Sequence, residues 1–419
     1  MYKLLFSALA LISALNNLFA INILIEMNDK QNNHLKAYGV AYSAVESGKK
    51  VEWLLNHEGG SFMFNYTEKI EKECKLKGVS YTVIPKLVAE KIRENIARTE
   101  VNKEIVILEK APKIAIYSPK NKQPWDDAVT LALSYSEIPY DVIYDSEVLN
   151  NILPMYDWLH LHHEDFTGQY GKFYSAFKNA NWYIQQKKEF ERDARKLGYS
   201  KVSELKLDVA KKIKDYIFSG GFLFAMCSAT DSYDIALSSE NLDICHNVFD
   251  YDPIDSDINE KLNFNKTFAF KDFKLISNPN IYEFSNIDNT RDRKVREKED
   301  FFILFDFSAK WDQIPTMLCQ NHQKIIKGFM GQTTSFKKKY IKKNVTILGE
   351  NKSLEEAKYI HGKYGNGTWT FYGGHDPEDY QHRVGDPKTD LNLHTNSPGY
   401  RLILNNILLP AAKKKKLKT

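Results

Sequence analysis

Cysteine is scarce in this 419-residue chain: there are four, Cys74, Cys227, Cys245 and Cys319. Their spacing is irregular and contains no CxxC pair, which argues against a zinc ribbon and against a disulfide scaffold. An excess of charge of one sign is also missing. Lys and Arg number 58 against 54 Asp and Glu, a net +4 that gives no electrostatic reason to expect a nucleic-acid partner. Beyond the N-terminal stretch no apolar run approaches the ~18 residues of a membrane-spanning helix. No repeat of solenoid period is present. What is there is an ordinary globular composition, 43% hydrophobic and 27% charged. The chain exceeds the roughly 250–300 residues at which a single core stops growing, so two α/β units are expected.

The N-terminus carries the longest apolar run. Met1-Tyr2-Lys3 leads into Leu4 to Leu15, and the stretch closes at Phe19-Ala20, a signal-peptide pattern over residues 1–20. The expected location is periplasmic or secreted, with no transmembrane segment after signal cleavage. Leu18 stands where a small residue is usual, so an uncleaved anchor stays open as the alternative. An exported protein can form a disulfide, and a Cys227–Cys245 bridge stays open too. Lys413 to Lys416 with Lys418 read as a solvated basic tail over 412–419.

Between these ends, strand and helix patterns alternate. Strands are expected at Ile21–Ile25, Lys50–Leu55 and Val79–Ile84, with helices at His34–Val45, Thr67–Lys77 and Lys86–Arg98. This defines an N-terminal α/β unit over 21–110, read as a parallel sheet, with an edge strand expected in the linker Thr99 to Lys110. The pattern restarts at Pro112, and a second unit is expected over 111–411. Its strands are Lys113–Tyr117, Tyr140–Tyr144 and Tyr156–Leu161, with a helix at Pro124–Ser136. Lysine-rich helices fill Phe173 to Phe218. Residues 250–300, rich in Asp, Asn and Lys, read as an irregular insertion. Strands follow at Phe301–Phe307 and at the glycine-fed Tyr364–Tyr372, and a closing helix spans Gly399–Leu408.

The chemistry is expected where Gly220-Gly221-Phe222-Leu223-Phe224-Ala225-Met226 breaks at Cys227 and continues Ser228-Ala229-Thr230-Asp231-Ser232. A cysteine at a strand-to-helix turn is exposed at the sheet edge near helix-terminal N–H groups, the position of a hydrolase nucleophile. The Ser228 N–H is then the oxyanion donor. In Tyr372-Gly373-Gly374-His375-Asp376-Pro377-Glu378-Asp379, His375 is the expected base, and Glu378 or Asp376 orients its ring. Asp379 and His382 are expected on the rim. His160-Leu161-His162-His163-Glu164-Asp165 is a third constellation. His162, His163 and Glu164 are read as substrate contacts, with Asp376 and Ser228 beside them, and the ligand set mixes strand faces, which argues against a metal. No metal and no cofactor is required. The Gly59-Gly60 turn and Gly331-Gln332-Thr333-Thr334 are candidate anion cradles, and Trp125-Asp126-Asp127 at a helix start can bring acids to the cleft.

At Cys227 and His375 the chain resembles the class I glutamine amidotransferase-like superfamily. The resemblance implies a three-layer, flavodoxin-like sheet with a nucleophile elbow and a late histidine and glutamate. The elbow Ala225-Met226-Cys227-Ser228-Ala229 lacks the family's flanking glycines, and Glu378 follows His375 by three residues instead of two. Tyr364-Gly365-Asn366-Gly367 through Gly373-Gly374-His375-Asp376 also resembles the end of the trehalose-utilisation branch. Over nearly its whole length, including Trp158 to Gly168 and Lys327-Gly328-Phe329-Met330-Gly331-Gln332, it is similar to exported bacterial proteins labelled asparagine synthetase B. A true synthetase of that name needs a cysteine at position 2 and a Ser-Gly-Gly-x-Asp-Ser loop, whereas this chain has Tyr2 and no such loop. The resemblance therefore implies a cysteine-dependent hydrolase of C–N amide or related acyl bonds, acting on a small-molecule or peptide- or glycan-derived substrate. Two other classes stay open: a metal-dependent hydrolase using His160, His162, His163 and Glu164, and a non-catalytic envelope binding protein.

Overall fold

A tight turn decides the topology of the first sheet. The computed structural model describes residues 21–120 and 123–413, so the signal-like segment and most of the basic tail lie outside the described residues. Gly59 and Gly60 take φ of 76° and 90°, and a Cβ on Gly59 would sit 2.2 Å from the Met27 carbonyl oxygen. The chain therefore reverses between β2 (Val51–Leu55) and β3 (Ser61–Asn65). With β1 (Ile21–Ile25), β4 (Thr82–Pro85) and β5 (Glu104–Leu108) they form a sheet of order β4-β1-β3-β2-β5. Every pairing in it is antiparallel, which corrects the parallel reading of this unit. The missed element is β3, which inserts between β1 and β2. The turn is no anion cradle either, because its donors are spent: the Gly60 and Ser61 N–H groups both donate to His57 O at 3.0 Å. The expected edge strand is β5. Helices α1 (His34–Glu46), α2 (Glu68–Leu76) and α3 (Lys86–Ala97) lie close to their expected spans.

The second sheet begins with β6 (Ile114–Tyr117), β7 (Asp141–Ile143), β8 (Trp158–Leu161) and β9 (Phe222–Met226). It continues with β10 (Phe301–Leu304), β11 (Ile325–Lys327), β12 (Phe336–Lys337), β13 (Thr346–Asn351), β14 (Glu356–Tyr364) and β15 (Gly367–Tyr372). Strands β7-β6-β8-β9-β15 are parallel neighbours. Strands β14, β13, β10 and β11 extend the sheet antiparallel beyond β15, and β12 pairs with β14. Helices α4 (Ala128–Ser136), α5 (Asn181–Lys196), α6 (Val202–Phe218), α7 (Ala229–Ser238) and α8 (Pro398–Leu408) accompany it. The chain is a mixed α/β protein.

Side chains alternate across the parallel strands, as a period of two requires. Ile114, Ile116, Trp158, Phe224 and Met226 enter one core, shared with α1, α4, α8 and the first sheet. Ala115, Tyr117, Leu159, Leu161, Leu223 and Ala225 enter the other, shared with α6 and α7. The two units are thus joined through a common core. Arg401 of α8 is fully buried at that junction and donates to Met27 O and Gly59 O. No helix among the described residues is long and apolar enough to cross a membrane.

Candidate functional site

The carboxyl ends of β8, β9 and β15 are tied together by backbone bonds. Cys227 N–H donates to Gly374 O (3.2 Å), Ala229 N–H to His162 O (3.0 Å) and His375 N–H to Met330 O (2.9 Å). Cys227 itself takes φ of 52°, the left-handed conformation that a non-glycine residue adopts only under constraint. It stands between β9 and α7 with its side chain 3% exposed. Gly374, at φ of 91°, passes so close to Lys358 that a Cβ there would meet its Nζ at 2.6 Å.

A cavity of about 660 Å³ opens over these strand ends. Cys227, Ser228, His163 and His375 line it, together with Gln332, His382, Lys172, Arg383 and the aromatic rings of Trp125, Phe173 and Tyr282. The Gln332 N–H points at Cys227 Sγ at 3.4 Å. The loop 331–334, read as an anion cradle, therefore cups a sulfur. Burial pushes the Cys227 thiol up to about 11, although the backbone N–H groups of Gln332, Ser228 and Thr333 work the other way. All four cysteines are unpaired, and Cys245 donates its S–H to Thr167 O at 3.1 Å, so no Cys227–Cys245 bridge forms.

Four imidazoles make up one wall. His162 and His163 stack with centroids 3.8 Å apart, and so do His375 and His382. The pairs meet at His375, 4.7 Å from His162 and 4.6 Å from His163. Burial, reinforced by the neighbouring imidazoles, lowers His163 and His375 well below the usual histidine range, so both rings are neutral. Neither ring nitrogen of His375 has a hydrogen-bond partner among the described residues.

The acids are distributed otherwise than expected. Glu378 does not orient His375; its Oε2 lies 3.0 Å from His394 Nδ1. Asp376 faces the closing helix, accepting from Tyr400 Oη at 2.7 Å. Among the imidazoles that line the cavity, the one with a carboxylate on its ring is His382, whose Nδ1 is 2.9 Å from Asp379 Oδ2. Glu164 turns to the far side of the strand end, where it accepts from Tyr144 Oη and lies 3.7 Å from Lys206 Nζ. Burial lifts its carboxyl to about 7. It does not line the cavity, and His162 lies behind His163. His160 is committed to Phe224 O and Asp127, which removes it and Glu164 from any shared metal set.

Helix α4 starts at Ala128, four residues later than the Pro124 start expected, because Asp127 caps it: Oδ1 accepts from Val129 N and Thr130 N. This frees Trp125 and Asp126 for the site. Asp127 Oδ2 lies 3.2 Å from both His160 Nε2 and His162 Nδ1. Burial opposes its charge, yet these two imidazoles hold its carboxyl well below the usual range. The Asp126 carbonyl accepts from His163 Nε2 at 2.7 Å. The sequence places Asp379 and His382 on the rim and Gln332 and Thr333 in an anion cradle; it does not show that Asp379 pairs with His382 or that Gln332 meets the Cys227 sulfur.

No protein-family model matches the chain, and no curated protein matches it in sequence. Among solved structures, two cytoplasmic proteins of Salmonella typhimurium align at 10% and 11% identity, each covering 72% of this chain and 100% of its own, with TM-scores of 0.35 and 0.33. A GH42 beta-galactosidase aligns at 10% identity over 64% of this chain and 28% of its own, with a TM-score of 0.28. At these values the likenesses carry no argument about fold or activity.

Proposed function

We propose that the protein is an exported cysteine-dependent hydrolase of C–N amide or related acyl bonds, built on a glutamine amidotransferase-like sheet. The parallel strand order β7-β6-β8-β9-β15 supports the fold reading, since it is the 2-1-3-4-5 order of flavodoxin-like sheets, whose ligands sit at the carboxyl ends. The observation that carries the activity is the constrained elbow: Cys227 at φ of 52°, facing a cavity, with the Gln332 N–H on its sulfur.

In this reading the Cys227 sulfur bonds to the substrate carbonyl carbon while the thiol proton passes to an imidazole. The N–H groups of Ser228 and Gln332 receive the oxyanion. The proton then goes to the leaving nitrogen as the C–N bond breaks, and water hydrolyses the thioester. His382, oriented by Asp379, takes the base role in place of His375. The substrate is a small molecule or a peptide- or glycan-derived amide or ester. The sequence label of asparagine synthetase B is read as a family name, not an activity. The export part of the proposal rests on the signal-like 1–20 sequence and is tested by whether Ile21 is the mature N-terminus.

Hydrolysis of simple amides and p-nitrophenyl esters by the purified protein tests the activity. Turnover lost in Cys227→Ala with an unchanged near-UV spectrum supports it, and turnover indifferent to that change removes it.

A further inference from the structure

We infer that the cavity takes an amide that carries a carboxylate and a flat apolar group but no ammonium, with its anionic end held by Arg383. Among the described residues, no Asp or Glu lines the cavity, whereas Lys172 and Arg383 both do. The Arg383 guanidinium forms no ion pair among the described residues. Its hydrogen bond goes to the neutral Gln381 side chain, Oε1 at 3.3 Å, so its remaining donors are open to a ligand. A guanidinium fork matches a carboxylate through two parallel hydrogen bonds. The loop that carries it is anchored: Arg383 N–H donates to Asp386 Oδ2 at 2.8 Å, and Gly385 N–H to Pro124 O at 3.0 Å, next to Trp125.

Lys172 adds to the positive field. It is 1% exposed, and two of its three N–H donors go to Ile276 O at 2.6 Å and Asn278 O at 3.2 Å. Burial lowers its ammonium to about 8, against the carboxylates of Asp165 and Glu283, which favour its charge, so it stays mostly cationic at neutral pH. The apolar group is read from the rings. Trp125 stacks on Phe173 with centroids 5.2 Å apart, and Tyr282 lies 5.7 Å from Phe173. Such a wall offers a planar ligand offset or edge contacts. An unblocked α-amino acid would bring an ammonium that finds no carboxylate on the lining and faces two cations, whereas an N-acylated one brings the carboxylate alone.

The inference deepens the hydrolase reading and rests on it for the bond that is cleaved. The anion subsite itself stands on the lining of the cavity.

The test is isothermal titration calorimetry of the full-length protein with three probes that share one benzamide body: anionic N-benzoylglycine, neutral N-benzoylglycinamide and cationic N-(2-aminoethyl)benzamide. Cys227→Ala replaces the wild type for any probe that turns over, and circular dichroism checks every variant. The anion should bind about 10-fold or more tighter than the neutral amide, and the cation weakest. Arg383→Ala should erase the gap between anion and amide while leaving the amide's own affinity unchanged, and Arg383→Lys should keep part of it. Equal binding of anion and amide, a gap that survives in folded Arg383→Ala, or no saturable binding of N-benzoylglycine would overturn the subsite. Benzoate release by the wild type is followed in parallel. The anion bound through Arg383 with neither amides nor p-nitrophenyl esters hydrolysed would leave the subsite standing and remove the hydrolase, and hydrolysis indifferent to charge and to Arg383 would do the reverse.

Discussion

The two sheets treat buried polar groups in opposite ways. Among the described residues, none of the buried side-chain nitrogens and oxygens lacking a hydrogen bond belongs to residues 21–110. They gather instead in the second unit, and His162, Ser228, Asp231, Asp288, His375 and His382 crowd around one set of strand ends. A buried polar atom left unsatisfied costs about 1–3 kcal/mol, so these strand ends are where water or a ligand has bonds to make. The antiparallel unit is a satisfied scaffold; the buried groups without a hydrogen bond among the described residues lie in the second unit.

The largest effects should therefore be on activity at the strand ends. Cys227→Ala should abolish turnover, and His382→Ala or Asp379→Asn should lower it about 10²- to 10⁴-fold as measured by kcat. An equal loss from a substitution in residues 21–110 would break the contrast. Stability should suffer next at the buried ion network behind the site, where Arg293 pairs with Asp300 at 2.5 Å and Glu356 at 2.6 Å. Arg293→Met strands two buried carboxylates and should cost about 3–5 kcal/mol in denaturant unfolding.

A gain is expected at Asp231, which is fully buried beneath the cavity and accepts from Thr333 Oγ1 at 2.8 Å. Burial raises its carboxyl to about 7, above its unfolded value, so the folded state holds the proton more tightly. Its contribution is complete below about pH 4 and is lost as pH rises towards 7. Asp231→Asn keeps the acceptor for Thr333 and should match the wild type at acid pH. Above pH 7 it should unfold at higher temperature, by about 2–4 kcal/mol of added stability. A variant less stable at every pH would mean that the charge is needed. The smallest effect belongs to the scaffold: Arg93→Ala breaks a partly exposed pair with Glu52 and should cost under about 1 kcal/mol.

Much of the fold was legible because its signals are local. The apolar runs of β1, β6, β8 and β9 and the amphipathic helices stand out from their flanks. Strand β10 is legible too, within the expected span 301–307, although it exposes Phe301 and Ile303 at 43% and 51%; β11 and β12, three and two residues long, are too short to stand out. At the site, strand ends were readable, and Cys227, Ser228, His163 and His375 do share a cavity. Where each side chain turns after a strand ends was not readable, because the loop path sets it. Glu378 reaches His394 and Asp376 reaches Tyr400, contacts that no spacing in 375–379 specifies. Gln332 meets Cys227 from 105 residues away.

The central claim is that Cys227 is a nucleophile aimed into that cavity. Mass spectrometry of the protein quenched during reaction with p-nitrophenyl acetate tests it most directly. The account predicts one acetyl group on the peptide carrying Cys227, absent in Cys227→Ala and slowed in His382→Ala. Acetylation elsewhere with Cys227 unmodified, or an adduct rate indifferent to His382, would contradict it.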